Sequence, residues 1–500
     1  MSVNIGILGF GVVGKSVLHF LKKTIPSLLN QTMYLNNTLI NLQDSRVSVW
    51  DKRELEVEEI KQIEGLDAYY IATKELILDF LESNDYIVVS PGFDLREYSE
   101  FKDKWICELD LFSSFFTKPV LAITGTLGKT TITSLIGNTV NLLPSFQNKK
   151  EENKKKASIG GNIGNGMLKI IEEQNDVSLS VLELSSFQLE YSKKFAADIT
   201  IWTNFYPNHL DWHANLSDYF EAKWNIFKYQ NSNQISILSV DIFNVNKDLD
   251  SKLANLKSQI CFVSSKVLTS RELNRLRKYS STVFFARNNC LYVASAVGDN
   301  FISQKLMDLQ KIPKISFAQN WIFILSALYM MGKDLKTIES VQFRKELNSC
   351  WLNDNNKSHR MEFFAAFKGS DFYNDSKSTV VQSTKQAFSK LDQNDRPIIL
   401  IMGGLGKGVD RSYFLKELPQ KNLKSILCFG KEAAIIGGNK VFNSLDETVK
   451  AVMEEIQPGD QVLFSPGGAS FDLFENYKQR GNMFKELVKK YGKSAEQSKN

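Results

Sequence analysis

An apolar run, Pro119 to Ile123, leads directly into Gly125-Thr126-Leu127-Gly128-Lys129-Thr130-Thr131, after which Ile132, Leu135, Ile136, Val140 and Leu143 recur at helical spacing. Strand, glycine loop and helix in that order constrain the chain more than any other feature, because the combination belongs to a parallel α/β sheet. Glycines let backbone N–H groups approach phosphate oxygens, and the helix N-terminus adds the positive end of a dipole. Lys129 supplies a point charge and Thr130 is placed to reach a magnesium ion. The position five before Gly128 is Ile123 rather than glycine, so the loop departs from the full phosphate-loop pattern.

The same alternation extends to both sides. Ile5 to Leu8 precedes GFGVVG (Gly9, Gly11, Gly14), and a helical stretch then leads to VSVW (Val47 to Trp50), which ends at Asp51. A ribose-binding acid would stand there, although Lys52 and Arg53 follow it; the glycines serve a dinucleotide, another diphosphate, or only helix packing. YIVVS (Tyr86 to Ser90) stops at Pro91-Gly92, and a polar spacer lies near Asn30 to Asp44. A further α/β unit begins near Lys357, with strands around Phe364, Pro397 to Gly404, Ser425 to Gly430 and Gln461 to Gly468. At about 150 residues per domain the chain divides into roughly three. We read them as 1–107, 108–356 and 357–500, with a disordered tail from about Gly492. Asn148 to Lys156 (NKKEENKKK) reads as a solvated loop.

Bulk properties exclude several classes. The net charge of +5 is spread over 61 basic and 56 acidic residues, which argues against a nucleic-acid partner. Five separated cysteines without a CxxC pair argue against a zinc or disulfide framework and fit a reducing cytosol. No run of eighteen apolar residues appears and the start lacks a basic leader, so a cytoplasmic protein with no membrane partner is expected.

Two further stretches carry chemistry. Glu183 follows the apolar strand Leu179 to Leu182, and His209 and Asp211 follow the next strand; oxygen ligands past buried strands suit magnesium. In the helical segment Leu216 to Tyr229 the apolar stripe is Leu216, Tyr219, Phe220, Ile226 and Phe227, and Lys223 falls on that same face. A lysine there is costly unless it is paired, modified or able to reach solvent along its stem.

These blocks, in this order, resemble the Mur ligases. The resemblance rests on GTxGKTT (Gly125 to Thr131), GGNIG (Gly160 to Gly164), ELSSFQL (Glu183 to Leu189), NxxxxHLDxH (Asn204 to His213), NDSK (Asn374 to Lys377), GGxxK (Gly403 to Lys407) and SPGGASFDLFENYKQRGNMF (Ser465 to Phe484). The last block is similar to that of the branch that adds D-glutamate. What the resemblance implies is an α/β protein of three domains: Rossmann-like and UDP-substrate-binding, then a central phosphate-loop domain for ATP, then a Rossmann-like domain for the amino acid. It implies an ATP- and magnesium-dependent amide-bond-forming ligase of peptidoglycan synthesis, acting as a monomer on UDP-N-acetylmuramoyl-L-alanine and D-glutamate.

Carried over residue by residue, Lys129 holds the ATP phosphates, Thr130, Glu183 and His209 serve magnesium, and Lys223 is a carbamylated lysine. Gly125 to Thr131, Asn320, Arg360 and Asp375 contact the nucleotide. Asp51, Arg53, Ser90 and Gly92 match the UDP site, and Thr379, Lys407, Ser470 and Phe471 match the D-glutamate site. Asn208 stands where the family usually has Asp, and Gln319-Asn320-Trp321-Ile322-Phe323 replaces HNxxN. Alternatives are a folylpolyglutamate synthase-like ligase, an inactive nucleotide-binding regulator and, more weakly, a nicotinamide oxidoreductase.

Overall fold

The computed structural model describes residues 3–35, 38–66, 68–71, 76–143, 157–298, 300–313, 315–352 and 358–497. It divides into two compact units, Met1–Phe205 with Phe220–Asn353, and Tyr206–Tyr219 with Asp354–Asn500. Among the described residues no helix is long and apolar enough to cross a membrane.

In the first unit five parallel strands are ordered Ala68–Ile71, Arg46–Trp50, Asn4–Leu8, Tyr86–Val89 and Trp105–Cys107. The chain order is therefore reversed between Asn4–Leu8 and Tyr86–Val89, and a crevice opens past the C-terminal ends of such strands. Gly9 and Ser90 leave those two ends. Gly14, on helix Val12–His19, approaches the Gly9 carbonyl so closely that a Cβ would lie 2.0 Å from its oxygen, which makes glycine necessary there. The polar spacer holds an antiparallel hairpin, Thr32–Leu35 with Thr38–Asn41.

A nine-stranded sheet completes this unit. Val120–Thr124 lies inside it between Ile199–Trp202 and Leu179–Glu183, with Ala157–Gly161 at the edge beyond Glu183. On the other side follow Ile235–Ser239, Gln259–Ser264 and Thr282–Arg287, all parallel, and then the antiparallel strands Cys290–Val297 and Asn300–Asp308. Leu121 and Ile123 are completely buried, as are Ile132, Leu135, Ile136 and Val140 of helix Lys129–Leu142. Burying a Leu or Ile side chain stabilises by about 1.5–3 kcal/mol, so this packing anchors the phosphate loop between two fixed elements.

The second unit carries a six-stranded sheet ordered Glu362–Phe367, Ser370–Asn374, Gln461–Phe464, Ile398–Gly403, Leu423–Phe429 and Lys440–Phe442, of which only the first pair is antiparallel. The strand expected to reach Gly468 ends at Phe464, because Ser465 to Ser470 forms a loop with its own partners. The expected disordered tail is corrected: helix Tyr477–Gln497 continues past Gly492. A Cβ on Gly492 would lie 2.5 Å from the Phe367 ring, so this glycine is a close-packing residue rather than a break, and the preceding Tyr491 hydroxyl donates to Asp446 at 2.7 Å. The charged run Asn148 to Lys156 lies outside the described residues.

Candidate active site

The phosphate loop is held by Thr203 and Asn204, just past the end of the adjacent strand Ile199–Trp202. Leu127 N–H donates to Asn204 Oδ1 at 2.8 Å, Thr203 Oγ1 donates to the Leu127 carbonyl at 2.7 Å, and Thr126 N–H donates to the Asn204 carbonyl at 3.1 Å. Gly125 and Gly128 adopt φ of +139° and +85°, and a Cβ on Gly128 would meet Asn320 Oδ1 at 2.8 Å. The fold thus brings Asn320 to the loop. Thr130 and Thr131 are buried.

Two lysines converge on one acceptor in that loop. Lys129 Nζ donates to the Gly125 carbonyl at 2.9 Å and to Thr126 at 3.1 Å, and Lys223 Nζ donates to the same Gly125 carbonyl at 3.0 Å. Lys223 is 2% exposed, and its helix Leu216–Lys228 packs Phe220, Trp224 and Phe227 around Trp202. Burial, then the charge of Lys129, push the Lys223 amine well below the usual lysine range, and Glu183 opposes them. Leu216, expected in the stripe, is 40% exposed at the first residue of the helix.

Glu183 ends its strand opposite Ile123 on one side and Gly161 on the other. Its Oε1 accepts from Asn162 Nδ2 at 2.9 Å, while the buried Oε2 has no hydrogen-bond partner among the described residues. An unpartnered buried carboxylate oxygen is costly, and a divalent cation would satisfy it. The donor set of Glu183 Oε2 and a phosphate-loop threonine fits such an ion. Among the described residues no three His, Cys, Asp or Glu side chains group as a ready metal cluster.

A cavity of about 410 Å³ links the two sheets of this unit. Val12 of helix Val12–His19 and Gly92 line it on the side of the first sheet, Glu108 opens the helix between them, and Asn162, Ser185 and Gln188 follow strands of the second. Glu108 is pushed up to about 7 by burial, opposed by the Leu168 N–H it accepts. Asn162, Gln188 and Glu108 had no role assigned from sequence, although the first two lie within GGNIG and ELSSFQL. Nearby, the Asp51 carboxylate accepts the N–H groups of Phe10 and Arg53, and Ser90 Oγ donates to the Gly9 carbonyl at 2.9 Å. Arg53 is engaged in a two-pronged pair with Glu59 at 2.7 and 2.9 Å, which braces the loop after Trp50.

In the second unit Asp375 is buried and pushed up to about 6 by that burial, though Ser465 Oγ donates to it at 2.7 Å and Met361 N–H at 3.1 Å. The charge of Arg360 also favours its carboxylate. Thr379, Lys407 and Ser470 come from three loops past the ends of neighbouring strands. Phe471, beside the buried Ser470, is 70% exposed. His209 belongs to the short segment Tyr206–Tyr219 that groups with this unit; it has φ of +57°, and its N–H donates to Asn208 Oδ1 at 3.0 Å.

Comparison with known proteins decides the family. Residues 123–296 match the Mur ligase middle domain. The chain is 30% identical over 483 residues to the UDP-N-acetylmuramoylalanine--D-glutamate ligase of Natranaerobius thermophilus, an alignment covering 91% of this chain and 95% of that protein. With the ligase of the same name from Koribacter versatilis it is 33% identical over 426 residues, covering 83% and 84%. The chain belongs to the UDP-N-acetylmuramoylalanine--D-glutamate ligase family. Among solved structures, MurF from Acinetobacter baumannii superposes with a TM-score of 0.51 at 14% identity, covering 89% of this chain and 86% of that one, a likeness of fold. Asn208 carries an amide at the position where the resemblance led to the expectation of a carboxylate. That amide is occupied locally, capping the His209 N–H.

Proposed function

We propose that the chain is an ATP-dependent ligase that joins D-glutamate to UDP-N-acetylmuramoyl-L-alanine through an acyl phosphate in peptidoglycan precursor synthesis. The observation that carries this reading is the convergence of Lys129 and Lys223 on the Gly125 carbonyl, in a loop whose sheet also presents the unpartnered Glu183 oxygen. Amide formation from a carboxylate in water needs activation. The muramoyl-alanine carboxylate attacks the γ-phosphorus of ATP, the bond to ADP breaks, and the Lys129 ammonium neutralises charge on the transferring group. The D-glutamate amine then attacks the acyl carbon and inorganic phosphate leaves.

A divalent cation, held by Thr130 and Glu183, would supply further neutralisation of phosphate charge. Lys223 is proposed to react as a neutral amine with carbon dioxide, forming an N–C bond and releasing one proton, and so to stand there as an anionic carbamate. Roles resting on the sequence pattern alone are proposed unchanged: His209 toward the metal, Arg360 and Asp375 toward the nucleotide, Asp51, Arg53, Ser90 and Gly92 toward the UDP group, and Thr379, Lys407, Ser470 and Phe471 toward D-glutamate. The same holds for the division into domains 1–107, 108–356 and 357–500. The test is ADP release with each substrate omitted in turn. Dependence on both the UDP-muramoyl-alanine and D-glutamate is expected; dependence on a folate-like carboxylate, or ATP binding without turnover, would overturn the assignment.

A further inference from the structure

Thr379, Lys407 and Ser470 lie on three separate loops, and two buried arginines tie those loops together. Arg480, from helix Tyr477–Gln497, donates through Nη2 to the Ser376 carbonyl at 2.7 Å, through Nε to Ser376 Oγ at 3.1 Å and through Nη1 to the Gly468 carbonyl at 2.9 Å. It thereby joins the loop of Thr379 to that of Ser470. Arg411 donates through Nη1 to the Gly403 carbonyl at 3.1 Å and the Gly467 carbonyl at 3.4 Å, and through Nη2 to the Gly404 carbonyl, joining the loop of Lys407 to that of Ser470. Both are almost fully enclosed, Arg411 at 2% and Arg480 at 0% exposure.

The paired glycines of GGxxK and SPGG follow from this arrangement. A Cβ on Gly468 would lie 2.4 Å from Arg411 Nη1, and one on Gly404 would lie 2.8 Å from Arg480 Nη1 and 2.2 Å from the Ala469 carbonyl oxygen. Between them Leu405 and Ala469 exchange two backbone hydrogen bonds of 2.8 Å. The charges are unequally compensated. Arg411 pairs with Glu432 at 2.7 Å, whereas the hydrogen bonds of Arg480 go to the Ser376 hydroxyl and to carbonyls. Asp472 and Asp375 act on Arg480 only through their fields, and Arg411 opposes them.

We propose that Arg411 and Arg480 are positioning residues for the acidic amino-acid substrate: they hold the three loops in one register. This rests on the D-glutamate reading above. Arg411→Lys and Arg480→Lys keep charge but lose the fork that bridges two loops. A misplacement of about 1 Å is enough to lower kcat/KM on the order of 100-fold. Each variant should therefore lose on the order of 10- to 100-fold in kcat/KM for D-glutamate. KM for ATP and for the UDP-substrate should stay near wild type, a split that general loosening of the fold would not produce.

A folded Arg480→Lys enzyme with wild-type kinetics toward D-glutamate, or with all three KM values raised alike, overturns the proposal. Hydrogen exchange on the wild-type enzyme covers variants that do not fold. D-Glutamate, added with the UDP-substrate and a non-hydrolysable ATP analogue, should protect 374–379, 403–408 and 465–470 together, and protection of one loop alone would count against the proposal. If the wild type ignores D-glutamate but turns over another acidic amine, the substrate reading fails while the same variants, assayed with that amine, still decide the positioning role.

Discussion

Leu210 N–H donates to the Lys407 carbonyl at 3.0 Å, and on either side of that bond His209 and Lys407 both have left-handed backbone, φ of +57° and +54°. Such a conformation costs a side-chain-bearing residue about 1 kcal/mol or more and persists only where the surroundings over-determine it. Strain at these two candidate site residues, on segments joined by the Leu210 N–H to Lys407 carbonyl bond, indicates that the position of one segment fixes the other. Gly408, with φ of +75°, has no room to change: a Cβ would sit 3.0 Å from the Leu210 carbonyl carbon and Cβ. Gly408→Ala should therefore lower turnover on the order of tenfold or more through misplacement of these loops, although glycine contributes no reacting group. Steady-state kinetics on a folded variant measure it, and an unchanged kcat would show that the contact is dispensable.

Lys129→Ala removes the ammonium expected to neutralise the transferring phosphoryl group, and losing a comparable electrostatic contact costs on the order of 10²- to 10³-fold in rate. Binding of the UDP-substrate should be nearly unaffected, because Lys129 does not line the cavity shared by Gly92, Glu108 and Asn162. Turnover near wild type would remove the phosphate-loop assignment; a lost UDP-substrate affinity would instead mean that the two sites are not separable in this way.

What the sequence made readable was local. The phosphate loop, GFGVVG and the stripe containing Lys223 each lie within one short stretch, so spacing alone places them on a turn or a helix face. The unread part is long-range. Arg480 reaches Ser376 across 104 positions and Asn162 reaches Glu183 across 21, and no periodicity marks such pairs. Glu108 resembles any acid in the first turn of a helix, its sequence giving no sign that it is buried beside a cavity. Gly492 misled for the opposite reason, since a glycine required by close packing on Phe367 looks like one that ends a helix.

Stability should fall with rising pH because of Glu108. Burial raises its carboxyl from 4.5 to about 7, a preference for the neutral form of roughly 3 kcal/mol. Below about pH 4.5 both folded and unfolded chains are protonated there. Between about 4.5 and 7 the unfolded chain gives up a proton that the fold retains, so ionisation favours unfolding increasingly, and above about 7 the effect is constant. No charged neighbour contributes to the shift of Glu108. Glu108→Gln keeps an acceptor for Leu168 N–H and cannot ionise, so its stability relative to wild type should grow across that window. Denaturant unfolding of both proteins at several pH values tests this, and a pH-independent difference between them would refute it.

Lys223 and Lys129 give two ammonium groups to the single Gly125 carbonyl, at 3.0 and 2.9 Å. As a pair of cations this is unfavourable in a buried site, and Lys223, 2% exposed, is the one whose charge is suppressed, first by its burial and then by Lys129. A neutral amine is the form that reacts with carbon dioxide. Carbamylation replaces the repulsion with an anion facing Lys129, and it adds oxygen acceptors near the phosphate loop. Lys223→Arg keeps a cation that cannot be carbamylated and should be almost inactive. Lys223→Ala should be inactive as purified and regain activity when acetate supplies a carboxylate in the vacated space. Depleting bicarbonate should reduce wild-type turnover, and ¹³C-labelled bicarbonate should give a carbamate resonance that Lys223→Ala lacks. An active Arg variant, or a wild-type enzyme in complex with its substrates that shows an unmodified amine, would return Lys223 to a purely cationic role at the Gly125 carbonyl.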